Sequence, residues 1–341
     1  MSVVTFIQRF AVANALTLYY TLKVLLYFAV NYLKNPFRNP WANKVNLVPP
    51  SRLFDPKYGV HKYIKVNNIK LHYVENGDPS KPLMVFLHGF PEFWYSWRYQ
   101  LLDFKNDYWC VAVDMRGYGD SERPEDVSSY KLQTLVDDVR DLLRQLGREK
   151  FILVSHDWGG VVACRYRDTY PETLQALVVL GSTSQEAWIE AVWTNEEQRK
   201  MSWYIFFYRM PIIPELMIQM NNLEILDRTM LVEGKPTIDS QDIECFKYWF
   251  GKQYALTPPV NYYRANFLYL NKLEVHDENV PFLFAHGANE RYLGQKLSEF
   301  MKTIYKTIEV TKVEDSGHFL QQEEPEKVNR LIRSFLQKNN L

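Results

Sequence analysis

Net charge is the first thing this sequence lacks. Its 40 Lys and Arg are matched by 40 Asp and Glu, and no run of basic residues breaks the balance. A nucleic-acid binder would carry a basic face, so no nucleic-acid partner is expected. Cysteine is scarce: Cys110, Cys164 and Cys245 are widely spaced, with no CxxC pair. That argues against a disulfide framework and points to buried or neutral thiols in a reducing compartment. The seven histidines and three cysteines also lack metal-ligand spacing, so neither a metal nor an organic cofactor is expected. No Asn-x-Ser/Thr sequon, internal repeat or low-complexity tract is present.

Apolar residues are abundant from the start. Residues 11–30 are apolar or aromatic apart from Asn14, two threonines and Lys23. About 20 such residues can cross a bilayer as a helix. Lys23 is costly at mid-membrane, which keeps open a helix lying flat in the interface with its tyrosines and Lys23 toward water. Ala13-Asn-Ala15 fits a signal-peptide cleavage site, but the apolar run continues well past it, which favours an uncleaved anchor. Arg9 precedes the segment while Lys34, Arg38 and Lys44 follow it. The positive-inside rule then places the C-terminal part in the cytosol.

A proline-rich linker over residues 35–60 leads into an alternation of strands and helices, the rhythm of a parallel α/β sheet. Short strands are expected near 63–66 and 69–74, then at 82–87, 109–114, 151–154 and 174–180. Leu132 to Leu146 carries apolar residues at helical spacing and is stopped by Gly147. The alternation breaks near residue 183 and resumes at Val280-Pro-Phe-Leu-Phe. The stretch between is aromatic-rich and too long for a loop, so it reads as a helical cap over the sheet's carboxyl edge. The expected layout is an anchor over 1–34, the linker, a core over 61–183, a cap over 184–276 after the sixth strand, and a second core segment over 277–341.

The stretch Phe151-Ile-Leu-Val-Ser-His-Asp-Trp-Gly-Gly160 organises the chemistry. Strand, sharp turn and helix in succession are the context in which a nucleophile is held up on a strained elbow. Asp157 stands at the tip. Alone, such a carboxylate could equally cap the following helix. Glu290, just past the strand at 281–286, and His318, just past the strand at 308–313, complete the order nucleophile, acid, histidine, each at a strand's carboxyl end. Asp315 is a second candidate for the acid. A carboxylate nucleophile attacks saturated electrophilic carbon and forms an alkyl ester. Water, activated by His318 with Glu290 orienting the imidazole, would then cleave that ester. The backbone N–H groups of Phe90 and Trp158 would hold the oxyanion. The substrate must carry a leaving group on saturated carbon, such as an epoxide or an alkyl halide.

His88-Gly-Phe-Pro-Glu92, Asp114-Met-Arg-Gly-Tyr-Gly119, His156-Asp-Trp-Gly-Gly160 and Gly317-His318 together resemble the α/β-hydrolase-fold epoxide hydrolases. The likeness runs from about Tyr63 to the C-terminus and is nearest to the membrane-anchored vertebrate-type members through Phe86 to Gln100. It implies an α/β-hydrolase fold and two cap tyrosines that protonate the epoxide oxygen. Asn261-Tyr262-Tyr263-Arg264 places one at Tyr263, with Tyr262 as the register alternative. The aromatic run from Trp203 to Pro211 places the other at Tyr204, with Tyr208 as competitor. The His-Asp-Trp-Gly element is shared with haloalkane dehalogenases, and a catalytically weak hydrolase fold that binds lipid or a partner is the reading outside enzymes. Glu290 stands where the family usually has Asp, and Ser155 where Gly is common, small enough to fit but at some backbone cost. The resemblance thus implies a membrane-anchored hydrolase that needs only an apolar epoxide, lipid-derived ones included, and water.

Overall fold

Eight strands form one sheet in the order β1-β2-β4-β3-β5-β6-β9-β10, and only β2 runs against its neighbours. They are β1 (Val60–Val66), β2 (Ile69–Asn76), β3 (Leu83–Leu87), β4 (Trp109–Val113), β5 (Phe151–His156), β6 (Leu174–Leu180), β9 (Phe282–Gly287) and β10 (Glu309–Val313). The computed structural model describes residues 3–42, 48–232, 235–267 and 279–341. Lys44, His276 and the expected cap–core boundary at 276–277 lie outside the described residues.

The central strands β3, β4 and β5 are buried along their whole length, as their unbroken apolar runs require of strands covered on both faces. Helices α2 (Arg98–Phe104), α3 (Leu132–Gln145), α4 (Trp158–Thr169), α11 (Lys296–Ile304), α12 (Leu320–Glu323) and α13 (Pro325–Lys338) complete the core. Helix α3 shows how its sequence specifies its placement. Leu132, Leu135, Val136, Val139, Leu142 and Leu143 are buried at spacings of three and four, and Gly147 adopts φ +69° just beyond the helix end.

Between β6 and β9 the chain builds α5 (Gln185–Thr194), α6 (Glu196–Met201), α7 (Trp203–Phe207), α8 (Ile213–Thr229), α9 (Ser240–Phe250) and α10 (Thr257–Asn266). The sequence did not announce one detail of this insertion, a small hairpin of β7 (Leu231–Val232) and β8 (Lys235–Pro236). The insertion is tied to the core by a buried charge cluster. Arg98 donates to Asp242 Oδ2 at 2.9 Å and to Gln322 Oε1 at 2.8 Å, while Arg52 and the Tyr95 hydroxyl both reach Asp242 Oδ1.

Ahead of the core stands α1 (Val3–Lys34), a single helix long and apolar enough to cross a membrane. It does not stand free. Ala13, Thr17, Thr21 and Val24 are buried, and the Thr17 hydroxyl donates to the Phe206 carbonyl at 3.0 Å. Arg209 donates to Thr17 Oγ1 and Asn14 Oδ1, each at 3.0 Å.

Candidate active site

Strand β5 ends at His156, and the next residue turns the chain into α4. Asp157 makes that turn at φ +48°, ψ −120°. A non-glycine residue held there stores about 1–3 kcal/mol of strain, which persists only where the surroundings over-determine it. They do so here through close approach. A Cβ on Gly89 would fall 2.3 Å from the Asp157 side chain, and one on Gly159 would fall 2.3 Å from the Leu87 carbonyl oxygen. Ser155, expected to strain the backbone in place of glycine, does not. It stays in the regular strand and its hydroxyl donates to the Val178 carbonyl at 3.0 Å. Within the elbow the strain sits on Asp157.

The three chain-distant residues converge. His318 Nδ1 lies 2.8 Å from Glu290 Oε2, and its Nε2 lies 3.6 Å from Asp157 Oδ2. The Glu290 side chain, one methylene longer than the usual Asp, reaches the ring, and its other oxygen accepts from the Tyr292 amide at 2.9 Å. Burial alone would lower the His318 pKa, but the charges of Glu290 and Asp157 outweigh it and raise it well above the ordinary histidine value. Conversely, burial would raise both carboxyls, and their bonds to His318 hold them below their usual range. All three shifts favour the charge-paired form of the site, with a positive imidazole beside two negative carboxyls.

Of the two amides expected at the nucleophile, that of Phe90 donates to Asp157 Oδ1 at 2.7 Å. Among the described residues, the Trp158 amide makes no hydrogen bond to that carboxylate. It opens α4 beside Asp157, whose second oxygen faces His318 instead. Asp315 is not brought to the histidine: it sits at φ +65°, mostly exposed, and pairs with Lys327 at 2.7 Å.

The cap supplies the opposite wall. Asp157 lies between a cavity of about 240 Å³ and a smaller one of about 70 Å³, and Tyr204 and Tyr263 line both. Tyr262, next in register, points away and donates to the Arg116 carbonyl at 2.7 Å. Burial first, and the charge of Asp157 next, push the Tyr204 and Tyr263 hydroxyls well above the ordinary phenol value. Tyr208 lines only the larger cavity, and Asp157 influences it less than Tyr292 and Glu215 do.

Two residues went unrecognised in the sequence. Glu92 is fully buried and accepts from the Gly89 amide at 2.9 Å, from Gln321 Nε2 at 2.8 Å and from Gln322 Nε2 at 2.9 Å. It also lies 2.6 Å from His156 Nδ1, and His156 Nε2 in turn reaches the His318 carbonyl at 2.9 Å. A carboxylate closing a His-Gly-Phe-Pro turn was the available signal. Tyr292 packs its ring edge-on against His318, with centroids 4.9 Å apart, and only its place two residues past Glu290 could have marked it.

A strained elbow carrying a carboxylate, a histidine and acid from later strand ends, and a lid of helices define an α/β hydrolase. The chain matches the alpha/beta hydrolase fold family over residues 82–325. It is 37% identical to human "Epoxide hydrolase 4" over 297 residues, covering 84% of this chain and 82% of that protein. It is 35% identical to "Epoxide hydrolase 3" of Xenopus tropicalis over 303 residues, covering 86% and 82%. Its structure is similar to that of an epoxide hydrolase from Bacillus megaterium in complex with an inhibitor, with a TM-score of 0.74 and 28% identity over 81% of this chain and all of that one. The chain belongs to the α/β-hydrolase-fold epoxide hydrolases.

Proposed function

We propose that the protein opens apolar epoxides to vicinal diols through a covalent ester on Asp157. What most supports this is the placement of Asp157 and the Tyr204 and Tyr263 side chains on the walls of the same two cavities. Among the described residues neither tyrosine hydroxyl has a hydrogen-bond partner, so both are free to donate to a guest. In the first step an Asp157 oxygen attacks an epoxide carbon from one side, the C–O bond breaks, and a tyrosine proton moves to the departing oxygen. In the second, His318 takes a proton from water, which attacks the ester carbonyl of Asp157. The Phe90 amide, joined by the Trp158 amide once the esterified carboxyl has turned, stabilises the oxyanion. Collapse passes the attacking water's second proton to the departing alkoxide, which releases the diol and restores the carboxylate, while the proton that His318 sheds on esterification re-forms the tyrosine hydroxyl. The aromatic lining, with Phe90, Trp203 and Phe319, fits apolar and lipid-derived substrates. Helix α1 would hold the enzyme on the endoplasmic reticulum with the catalytic part in the cytosol.

The tyrosines can be separated kinetically. Tyr263→Phe and Tyr204→Phe should each slow ester formation by about 10–100-fold, and the double variant by about 10³-fold, with ester hydrolysis little changed. Tyr208→Phe should change ester formation by less than about threefold. Single-turnover measurements check this, and a loss at Tyr208 equal to that at Tyr204 would move the donor to Tyr208.

The charge arrangement also fixes the sign of a pH effect. Asp157 is held low and the tyrosines high, so ester formation should be flat from mildly acid to mildly alkaline pH. Esterification removes the Asp157 charge, one of the influences that raise the His318 pKa, and frees the imidazole to act as a base. Acid re-protonates it. The turnover number should therefore fall as pH is lowered, while the single-turnover rate of ester formation holds and the ester accumulates. The reverse pattern would assign His318 to the first step.

A further inference from the structure

Helix α1 poses a conflict if it crosses a bilayer. Its middle third is the part that docks on the cap, through Ala13, Thr17, Thr21 and Val24. Arg209 is hydrogen-bonded to Asn14 and Thr17 at the same level, and Lys200 lines the groove beside it. A crossing helix docked this way would carry a guanidinium and the charged helix α6 into hydrocarbon, which is strongly unfavourable. Undocking would uncover Phe206 and Phe267, which are now buried.

The helix surface resolves the conflict. At 100° per residue the buried positions 13, 17, 21 and 24 form one stripe, with Tyr20 and Phe28 partly buried along it. On the opposite face Leu18, Leu22, Leu26 and Leu33 are exposed, and Ile7 and Leu25 are exposed on the flank away from the cations. Arg9, Lys23 and Lys34, spaced 14 and 11 residues apart, share one flank between these two faces. An apolar face opposite the protein, bordered by cations and tyrosines, is what a helix lying at an anionic lipid surface requires. Its 32 residues would extend about 48 Å along that surface.

A groove of about 750 Å³ opens on the same flank, between Tyr19, Tyr20, Lys23 and Val24 of α1 and Met217, Ile225 and Arg228 of α8. Trp203, Met217, Ile225 and Arg228 line this groove and also the 240 Å³ cavity that reaches Asp157. We propose that α1 lies in the plane of the membrane as a one-sided anchor locked to the cap, so that this groove opens at headgroup level and leads bilayer-dissolved substrate to Asp157. The route rests on the epoxide hydrolase reading; the in-plane placement does not.

The full-length chain, bearing an N-terminal epitope tag, should be inserted into sealed endoplasmic reticulum vesicles and exposed to protease. The expected result is that the tag is digested without detergent, on the same side as the catalytic part. A tag protected until detergent is added would overturn the in-plane placement. The groove is tested by Val24→Trp, and by Tyr27→Trp at its exposed outer lip, where the fold is least disturbed. The rate on a long-chain epoxide presented in vesicles, divided by that on a short water-soluble epoxide, should fall about tenfold for Val24→Trp and less for Tyr27→Trp. Ratios unchanged in both variants would overturn the route. Failure of the unsubstituted enzyme on both epoxides would instead refute the hydrolase reading and leave the protease result standing.

Discussion

Asp157→Ala should abolish diol formation, lowering turnover by at least about 10⁴-fold on every member of an epoxide panel. The expected size follows from the geometry. Among the described residues no other carboxylate is placed to take the role: Glu290 is turned toward His318 Nδ1 and Asp315 toward Lys327. A bystander water attacking the epoxide directly would lose both the covalent intermediate and the charge that faces Tyr204 and Tyr263. The variant should fold, since alanine removes a buried charge and adds no atom beyond the Cβ for which Gly89 already leaves room. Diol release, measured by chromatography, is the readout, and retention of more than a tenth of the activity would remove Asp157 from the mechanism. Including a chloroalkane in the panel tests for dehalogenation by release of halide.

His318→Gln should separate the two half-reactions. Ester formation needs Asp157 and the tyrosines but no base, so the variant should still react with epoxide. Hydrolysis of the ester should slow by about 10²–10⁴-fold, the usual worth of a positioned general base. Intact-mass measurement should then find one adduct of the epoxide's full mass per chain, and peptide mapping should place it on Asp157. Restoring the base with added imidazole should shorten the life of the adduct. An adduct on His318 in the unsubstituted enzyme, or none on Asp157 in the variant, would require a different nucleophile.

Those two residues were legible because each is announced locally. A buried apolar run that ends at Ser155-His156-Asp157 and restarts as a helix can only be a turn at a sheet edge, and Gly317-His318 follows its strand as closely. Glu290 was legible through chain order, and its extra methylene is absorbed by the Tyr292 amide, which holds the oxygen not used by His318. Tyr204 and Tyr208 were harder to separate, for a geometric reason. They stand four residues apart and so share a helix face, and only the cap's orientation over Asp157 ranks them. Ser155 was misjudged because a small residue at an elbow invites a backbone explanation, whereas here a side-chain bond to Val178 accommodates it. The docking of α1 was hidden altogether. An almost uniformly apolar helix does not reveal which of its faces meets protein, and the stripe of Ala13, Thr17 and Thr21 is distinguished only by small size.

The buried Glu92 joins three segments that are remote in sequence: the turn after β3, the end of β5 through His156, and α12 through Gln321 and Gln322. Because His156 also holds the His318 carbonyl, none of these segments can loosen without stripping partners from a charge that water does not reach. Amide hydrogens at Gly89 and in the stretch after Gly317 should consequently exchange with similar, high protection, opening as one cooperative unit close to global unfolding. The chemistry then has a rigid floor. Whatever motion admits a substrate belongs to the helices above it.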